Sequence, residues 1–164
     1  MAEINYESSL KELFPDHVVD ATGPRRYWVT ITPDELPGAV LALSEKLDIK
    51  HLGTIAGEDM RDHFLMNYIM VGDVTVTLRV KITDREKPSV PSLAMILPGA
   101  MVYERETHDI LGIVPVGHPD LRRQALPDDW PEGVYPLRKD VKIPRPGAAP
   151  EPDESAEGES ASNP

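Results

Sequence analysis

Four side chains of the metal-ligating type lie within a short stretch of the second half of this chain. They are His108, Asp109, His118 and Asp120. Imidazole and carboxylate groups bind zinc and iron, and a metal held by them can activate a water molecule for hydrolysis at neutral pH. However, the sequence contains neither H-x-x-x-H nor H-E-x-x-H, the spacings that place two histidines on one face of a helix. A free-standing small metal-dependent hydrolase is therefore one hypothesis, and it requires these four side chains to converge in the fold.

Three consecutive charged residues, Glu104, Arg105 and Glu106, precede Asp109. Glu104 and Glu106 are not expected to form a proton-transfer pair, because side chains two positions apart on a helix point in different directions. On the helix predicted for residues 98–111, the charges cover most of the circumference while both ends are apolar. At least one charge is therefore expected to be buried, which costs several kcal/mol unless the charge is paired.

A long loop follows this helix, which is expected to end at Gly112. The loop, residues 113–140, contains prolines at 115, 119, 127, 131 and 136, which break any helix or central strand. So long a loop is uncommon in a compact domain unless it has a function or a partner. We expect it to fold back so that its cations clamp the carboxylates of the helix. These cations are Arg122, Arg123, Arg138 and Lys139.

Four blocks of this region resemble, in the same order, one known family. The blocks are ERE-x-x-D-I-L-G-I, GHPDLRR, LPDDW and PLRKD. The family is the 30-kDa subunit of proton-pumping NADH:quinone oxidoreductase, respiratory complex I, and of related membrane-bound energy-converting hydrogenases. The resemblance implies an interface or structural role for the residues of these blocks, which are Glu104, Arg105, Glu106, Asp109, Gly112, His118, Pro119, Asp120, Leu121, Arg122, Arg123, Trp130, Pro136, Leu137, Arg138, Lys139 and Asp140.

The resemblance also implies a function. Members of the family are non-catalytic scaffold subunits of the hydrophilic arm, with no catalytic, cofactor-binding or metal-binding residues of their own. The implied partners are the large subunit (49-kDa-like, or the hydrogenase large subunit) and a small iron–sulfur subunit. Iron–sulfur clusters, and a nickel–iron centre or flavin, are expected on those partners. Departures from the pattern, such as Tyr135 before PLRKD, leave the electron donor, the acceptor and the pumped ion undecided.

The composition excludes several functions for this chain. The 164 residues carry a net charge of −11, which argues against nucleic acid and against direct binding to anionic lipid. No cysteine is present, so no cysteine-ligated cluster is expected on this chain. No apolar run is long enough for a membrane span, and the first residues do not resemble a signal peptide. We therefore expect a peripheral protein on the cytoplasmic side of the membrane, held there by its partners.

The periodicity predicts an α/β (α+β) fold with a mostly antiparallel sheet covered by helices. A strand is predicted at 25–32, and a capping box with proline at the first helical position starts a helix over 33–48. A short strand at 52–56 is followed by strands at 63–71 and 74–82, which a two-residue Gly-Asp break joins as a hairpin.

The chain divides into three predicted parts. Residues 1–112 form the α/β domain, residues 113–143 the extended interface loop, and residues 144–164 an acidic tail. The tail lacks large aliphatic and aromatic residues, so we expect it to be disordered. The alternative is that it makes an acidic contact or acts as an assembly element.

Overall fold

Three helices and seven strands make up residues 5–141, the part of the chain that the computed structural model describes. The elements in order are α1 (Tyr6–Leu13), β1 (Val19–Gly23), β2 (Arg26–Ile31), α2 (Leu36–Leu47), β3 (His51–Asp59), β4 (Phe64–Val71), β5 (Thr75–Ile82), β6 (Ser89–Pro91), α3 (Ala100–Leu111) and β7 (Val114–Val116). A short 3-10 turn, Pro33–Glu35, leads into α2. The predicted tail lies outside the described residues.

The main sheet has the strand order β1-β2-β5-β4-β3. Its neighbours are antiparallel except for β2 and β5, which run parallel. The prediction of a mostly antiparallel sheet is therefore confirmed. The sequence pattern does not predict strand β1, because VDATG lacks an apolar alternation; this edge strand is defined by its pairing with β2.

The core lies on one face of this sheet, between the strands and the helices. Alternate residues of β4 and β5, such as Tyr68 and Leu78, are fully buried on that face. Helix α2 contributes Leu36, Val40 and Leu43, which recur at helical spacing and are also fully buried. Burying one such side chain stabilises the fold by about 1.5–3 kcal/mol.

Two local signals of the sequence are confirmed. Thr32 and Glu35 form the capping box, with the Glu35 carboxylate accepting the Thr32 N–H at 2.8 Å. Residues 72–73 join β4 and β5 as an antiparallel hairpin. Strand β3 extends beyond the predicted residues 52–56 and covers His51–Asp59. Its additional part includes Gly57, although glycine is unfavourable in a strand. A Cβ at Gly57 would lie 2.4 Å from Leu111 Cδ1, so the glycine lets α3 approach the sheet.

The start of the predicted loop is in fact a strand. Val114–Val116 pairs in parallel with Ser89–Pro91 to form a small second sheet. The Val114 N–H donates to the Pro88 carbonyl at 2.9 Å, and the Ser92 N–H donates to the Val116 carbonyl at 2.9 Å. Pro115 lacks an N–H, and its carbonyl accepts the His118 N–H at 3.2 Å. The outer edge of β7 is thereby protected against pairing with a further strand.

Candidate interaction site

Glu104 is a buried carboxylate on the inner side of α3, and its side chain is 1% exposed. Its two oxygens accept the Ser92 hydroxyl at 2.6 Å and the Leu93 N–H at 2.6 Å. Burial raises the pKa of Glu104, while these two hydrogen bonds oppose that shift. The prediction that the helix must bury a charge is correct, and the turn before α3 supplies the donors.

His118 is also buried, and its two ring nitrogens have different roles. Nδ1 accepts the Asp120 N–H at 3.0 Å, so Nε2 carries the proton that it donates to the Met101 carbonyl at 3.1 Å. Nε2 lies 3.9 Å from the Glu104 carboxylate, which is too long for a hydrogen bond. His118 therefore fixes the first turn of the loop against α3 as a neutral imidazole.

Residues 117–141, which we call the strap, run back along α3. Asp109 is buried, and its Oδ2 accepts the N–H groups of Gln124 at 2.7 Å and Ala125 at 2.8 Å. Arg105 donates from Nε to the Arg122 carbonyl at 2.8 Å and from Nη2 to the Arg123 carbonyl at 2.9 Å. Two charged side chains of α3 thus hold the strap by its backbone.

The end of the strap closes over the last turn of α3. The Leu137 N–H donates to the Ile110 carbonyl at 3.1 Å, and Arg138 Nε donates to the Leu111 carbonyl at 2.7 Å. The Arg138 guanidinium also contacts the rings of Tyr135, at 4.5 Å from the centroid, and Phe64, at 5.0 Å. Such cation–π contacts add to the packing of a planar guanidinium.

Asp59 anchors the strap to the main sheet. Its carboxylate accepts the Lys139 N–H at 2.9 Å, the Arg61 N–H at 2.7 Å, and both terminal nitrogens of Arg85 at 2.6 and 3.2 Å. The Arg85 hydrogen bonds hold the pKa of Asp59 well below its usual range. Asp140 lies 3.6 Å from the same guanidinium. No sequence signal points to the link between Asp59 and the strap, because Arg85 and Lys139 lie 26 and 80 residues away along the chain.

The predicted clamp is wrong in its chemistry, although the loop does fold back. Among the ion pairs of residues 5–141, none joins Arg122, Arg123, Arg138 or Lys139 to a carboxylate of α3. The buried carboxylates accept backbone N–H groups instead, which satisfies them without burying a second charge. Arg123 donates to the Pro127 and Trp130 carbonyls at 2.9 and 2.6 Å. Arg122 pairs with Asp120 at 2.9 Å.

The four proposed metal ligands do not converge. His108 Nδ1 lies 3.2 Å from the Ile113 carbonyl, Asp109 accepts strap amides, and His118 and Asp120 have the partners given above. Within residues 5–141, no group of three or more histidine, cysteine or acidic side chains is placed to hold a metal ion. The hydrolase hypothesis is not supported.

Several strap residues point away from the body of the molecule. Leu137 is 56% exposed, and Arg122 and Lys139 are exposed.

Trp130 borders a cleft of about 330 Å³ together with His108, Arg123 and Tyr135. Its Nε1 donates to the Val134 carbonyl at 2.8 Å. Pro119 is exposed, and Leu121 and Pro136 are partly buried. Glu106 is exposed on α3.

No helix within the described part of the chain has the length and apolarity that crossing a bilayer requires.

Two solved structures share this fold. One is the membrane-bound sulfane sulfur reductase, described as an archaeal respiratory membrane complex. It matches with a TM-score of 0.75 and 21% identity over 85% of this chain and 87% of that chain. The other is the trypsin-resistant fragment of Nqo5, with a TM-score of 0.61 and 25% identity over 72% of this chain and 100% of that chain.

The sequence relatives include separate subunits and longer chains. The C subunit of the NADH-quinone oxidoreductase of Moorella thermoacetica is 35% identical over 85% of this chain and 95% of the relative. The beta subunit of the membrane-bound hydrogenase of Pyrococcus furiosus is 33% identical over 82% of this chain and 83% of the relative. Formate hydrogenlyase subunit 5 of Escherichia coli K12 is 37% identical over 83% of this chain, which spans only 25% of that relative.

Residues 29–146 match the family described as the respiratory-chain NADH dehydrogenase 30 Kd subunit. The match begins within β2 and includes the rest of the sheet, α3 and the strap, which is most of the chain. The resemblance seen in the four sequence blocks is thereby confirmed. This chain belongs to the 30-kDa subunit family of the respiratory-chain NADH dehydrogenase.

Proposed function

We propose that this chain is a non-catalytic scaffold subunit of the hydrophilic arm of a membrane-bound, complex I-type oxidoreductase of the NADH:quinone oxidoreductase or energy-converting hydrogenase branch. Its strap docks against the large subunit, the quinone-site or nickel–iron-type subunit of that complex. Electron transport and ion pumping take place on the partner subunits.

The observation that carries this proposal is how the strap is held. Its backbone N–H and carbonyl groups bond to Asp109, Arg105 and the end of α3, while Leu137, Arg122 and Lys139 remain exposed. A loop fixed by its backbone presents its side chains in one arrangement. Binding a partner then costs little additional conformational entropy, because the strap is already ordered, and this favours affinity.

The lengths of the relatives support the choice of partner. The same domain makes up 95% of one relative and only 25% of another. A domain that occurs both alone and within a longer chain is expected to contact the remainder of that chain, and the free form is expected to contact a separate protein like that remainder. We therefore propose the large subunit as the neighbour of this chain.

The cofactors belong to the partners in this proposal. This chain has no cysteine with which to ligate an iron–sulfur cluster or a nickel–iron centre. The partners, including a small iron–sulfur subunit, supply the clusters and, according to the branch, nickel–iron or flavin. They also hold this chain peripherally at the cytoplasmic side of the membrane.

The test is binding to the purified large subunit. Leu137→Glu and Arg122→Glu change exposed strap side chains, and the ion pair of Arg122 is with Asp120 of the strap itself. Each should weaken binding by about tenfold or more, as expected for a residue near the centre of an interface. Leu41→Glu is the matched control, because Leu41 is 43% exposed on α2. Wild-type affinity for both strap variants would overturn the docking proposal.

A further inference from the structure

The cleft beside Trp130 is bordered by α3 on one side and by the strap on the other, and its volume is about 330 Å³. Liquid water takes about 30 Å³ per molecule, so the cleft has room for the end of a long side chain. Residues of both elements form its wall. Those that are charged, aromatic or able to titrate are His108, Asp109, Arg123, Trp130, Glu132 and Tyr135.

Asp109 is the most deeply buried charge on this wall, and only one of its two oxygens is bonded. The residue is 6% exposed, and its Oδ2 accepts the N–H groups of Gln124 and Ala125. Within residues 5–141, Oδ1 accepts no hydrogen bond, and Asp109 takes part in no ion pair. A carboxylate oxygen has lone pairs for two donors, so Oδ1 can still accept hydrogen bonds.

The oxygen Oδ1 of Asp109 opens into the cleft. Among the described residues, the fully buried side-chain atoms that lack a hydrogen bond are His63 Nδ1 and the Tyr68 hydroxyl, and Oδ1 is not one of them. Oδ1 is therefore accessible, and the space that Asp109 borders is the cleft. A buried carboxylate without a cationic partner favours a positively charged ligand at this point.

His108 contributes a second acceptor to the same wall. Its Nδ1 lies 3.2 Å from the Ile113 carbonyl, which can only accept, so in the neutral ring Nδ1 carries the proton and Nε2 is an acceptor. Two donors of the wall already have partners. Trp130 Nε1 donates to the Val134 carbonyl, and Arg123 Nη1 donates to the Pro127 and Trp130 carbonyls. The cleft therefore offers open acceptors to a ligand that brings donors.

The charges around the cleft are mainly negative. The carboxylates on its wall and in the adjoining turns are Glu106, Asp109, Asp128, Asp129 and Glu132, and the guanidiniums are Arg105, Arg123 and Arg138. Asp120 and Arg122 pair with each other and cancel. Carboxylates thus outnumber guanidiniums by five to three, and on the wall itself by two to one. A further positive charge would balance this excess.

The aromatic rings of the wall suit the same kind of ligand. The Tyr135 ring already has the Arg138 guanidinium at 4.5 Å from its centroid. The Trp130 ring borders the cleft as well, and tryptophan attracts a cation over its face more strongly than other aromatic residues. A lysine or arginine side chain can therefore meet a carboxylate oxygen and an aromatic ring in one place.

We infer that the cleft receives a lysine or arginine side chain of the large subunit, which donates to Asp109 Oδ1 while its stem packs beside Trp130. This inference rests on the proposed docking of the strap, and it names the chemistry of one contact within that interface. Docking covers the cleft, and removing one partner of a charge pair that is shielded from water weakens binding strongly.

The first test is Asp109→Asn, with binding to the purified large subunit as the measurement. The two strap N–H groups keep the amide oxygen turned toward them, so the amide NH2 group replaces Oδ1 and presents donors to the incoming donor. The dissociation constant should rise by about thirtyfold or more. Hydrogen exchange of residues 120–130 should stay at the wild-type level, which shows that the strap is still in place.

A second pair of variants changes the wall without touching Asp109. Glu132→Lys places a cation in the cleft and should raise the dissociation constant by about tenfold or more. Asp128→Lys makes the same change of charge on an exposed strap residue outside the cleft wall, and its effect should be smaller. If Asp109→Asn loosens the strap, this pair decides the question. Equal effects of the two lysine variants would overturn the inference.

Leu137→Glu separates this inference from the proposed function. Loss of binding in Leu137→Glu together with wild-type affinity in Asp109→Asn would overturn the lysine or arginine contact and leave the docking of the strap intact. Wild-type affinity in Leu137→Glu, Asp109→Asn and Glu132→Lys alike would overturn both.

Discussion

At the scale of single residues, two carboxylates show how environment decides the state of the same chemical group. Asp59 bonds to the Arg85 guanidinium, which lowers its pKa, whereas burial raises the pKa of Glu104. Asp59 is therefore stabilised in its charged form. Glu104 is buried without a cationic partner in hydrogen-bond range, and it depends on the Ser92 hydroxyl and the Leu93 N–H.

The pKa of Asp59 leads to a prediction about pH. A carboxyl group whose pKa is lowered by folding stabilises the fold above its unfolded pKa of about 4, and this stabilisation is lost as the pH falls through the folded value. Asp59→Asn should lower the free energy of unfolding by about 1–3 kcal/mol at neutral pH, because Arg85 and the Lys139 N–H lose a charged acceptor. The deficit relative to wild type should shrink below about pH 4.

Urea unfolding of both proteins at neutral pH and at about pH 3 checks this prediction. Asp128→Asn, which changes an exposed carboxylate of the strap, is the control and should have little effect at either pH. A deficit of Asp59→Asn that stays constant with pH would contradict the assigned ion pair.

Gly112 combines two constraints. Its φ of +71° is in the left-handed region, and a Cβ there would lie 2.5 Å from the Tyr135 ring and 2.8 Å from Arg138 Nη2. Gly117 has a φ of +87° but nothing within 4 Å of the added Cβ. Gly117→Ala should therefore cost about 1–2 kcal/mol from backbone strain alone. Gly112→Ala should cost about 1–3 kcal/mol more, because the end of the strap must move.

Denaturant unfolding of both glycine variants measures these costs. Equal losses for the two would mean that the Tyr135–Arg138 packing over Gly112 is absent in solution.

At the scale of elements, the strap depends on α3 rather than on structure of its own. Asp109 on α3 accepts two strap N–H groups, so Asp109→Ala leaves both without this acceptor. Residues 120–130 should then lose protection against hydrogen exchange by about tenfold or more, while β4 and β5 keep theirs. Hydrogen exchange with mass spectrometry measures this difference.

Asp120→Ala is the matched variant within the strap. Its carboxylate contacts Arg122 in the strap itself, so its removal should affect exchange only locally. Uniform loss of protection in Asp109→Ala, with the sheet included, would instead mean that the strap is part of one cooperative unit.

The elements also show what the sequence can predict. The hairpin at residues 72–73 and the capping box at Thr32 and Glu35 depend on neighbours along the chain, and both are predictable for that reason. Strand β7 is not predictable in this way because its partner β6 precedes α3, and β1 is not because its sequence has no periodicity.

The candidate site is predictable in its residues and not in its contacts. The motif residues Arg105 and Asp109 of α3 do hold the loop, but they bind its backbone carbonyl and N–H groups. Every residue except proline has both groups, so the sequence does not indicate which of them is the partner. The charges in the sequence suggest that arginine and lysine pair with the helix carboxylates. A buried carboxylate is instead satisfied at lower cost by neutral backbone N–H donors, because no second charge has to be buried. The link between Asp59 and Lys139 joins positions 80 residues apart, with no local signal at either end.

At the scale of the whole molecule, the fold is a helix-covered sheet that carries a fixed strap on one side. The helices and the sheet provide the core, and within the described residues the proposed metal ligands do not come together. Membership of the 30-kDa subunit family and the exposed side chains of the strap both favour a role in assembly. The main claim about this chain therefore concerns its contacts within a larger particle.

The most direct test of that claim is a cryo-electron microscopy structure of the intact complex, purified from membranes through a tag on this chain. We predict that residues 117–141 are covered by the large subunit, with Leu137 and Arg122 in the contact. We also predict that every redox centre in the particle is bound by another chain. A strap that faces open solvent in the assembled particle, or a redox centre ligated by this chain, would contradict the account.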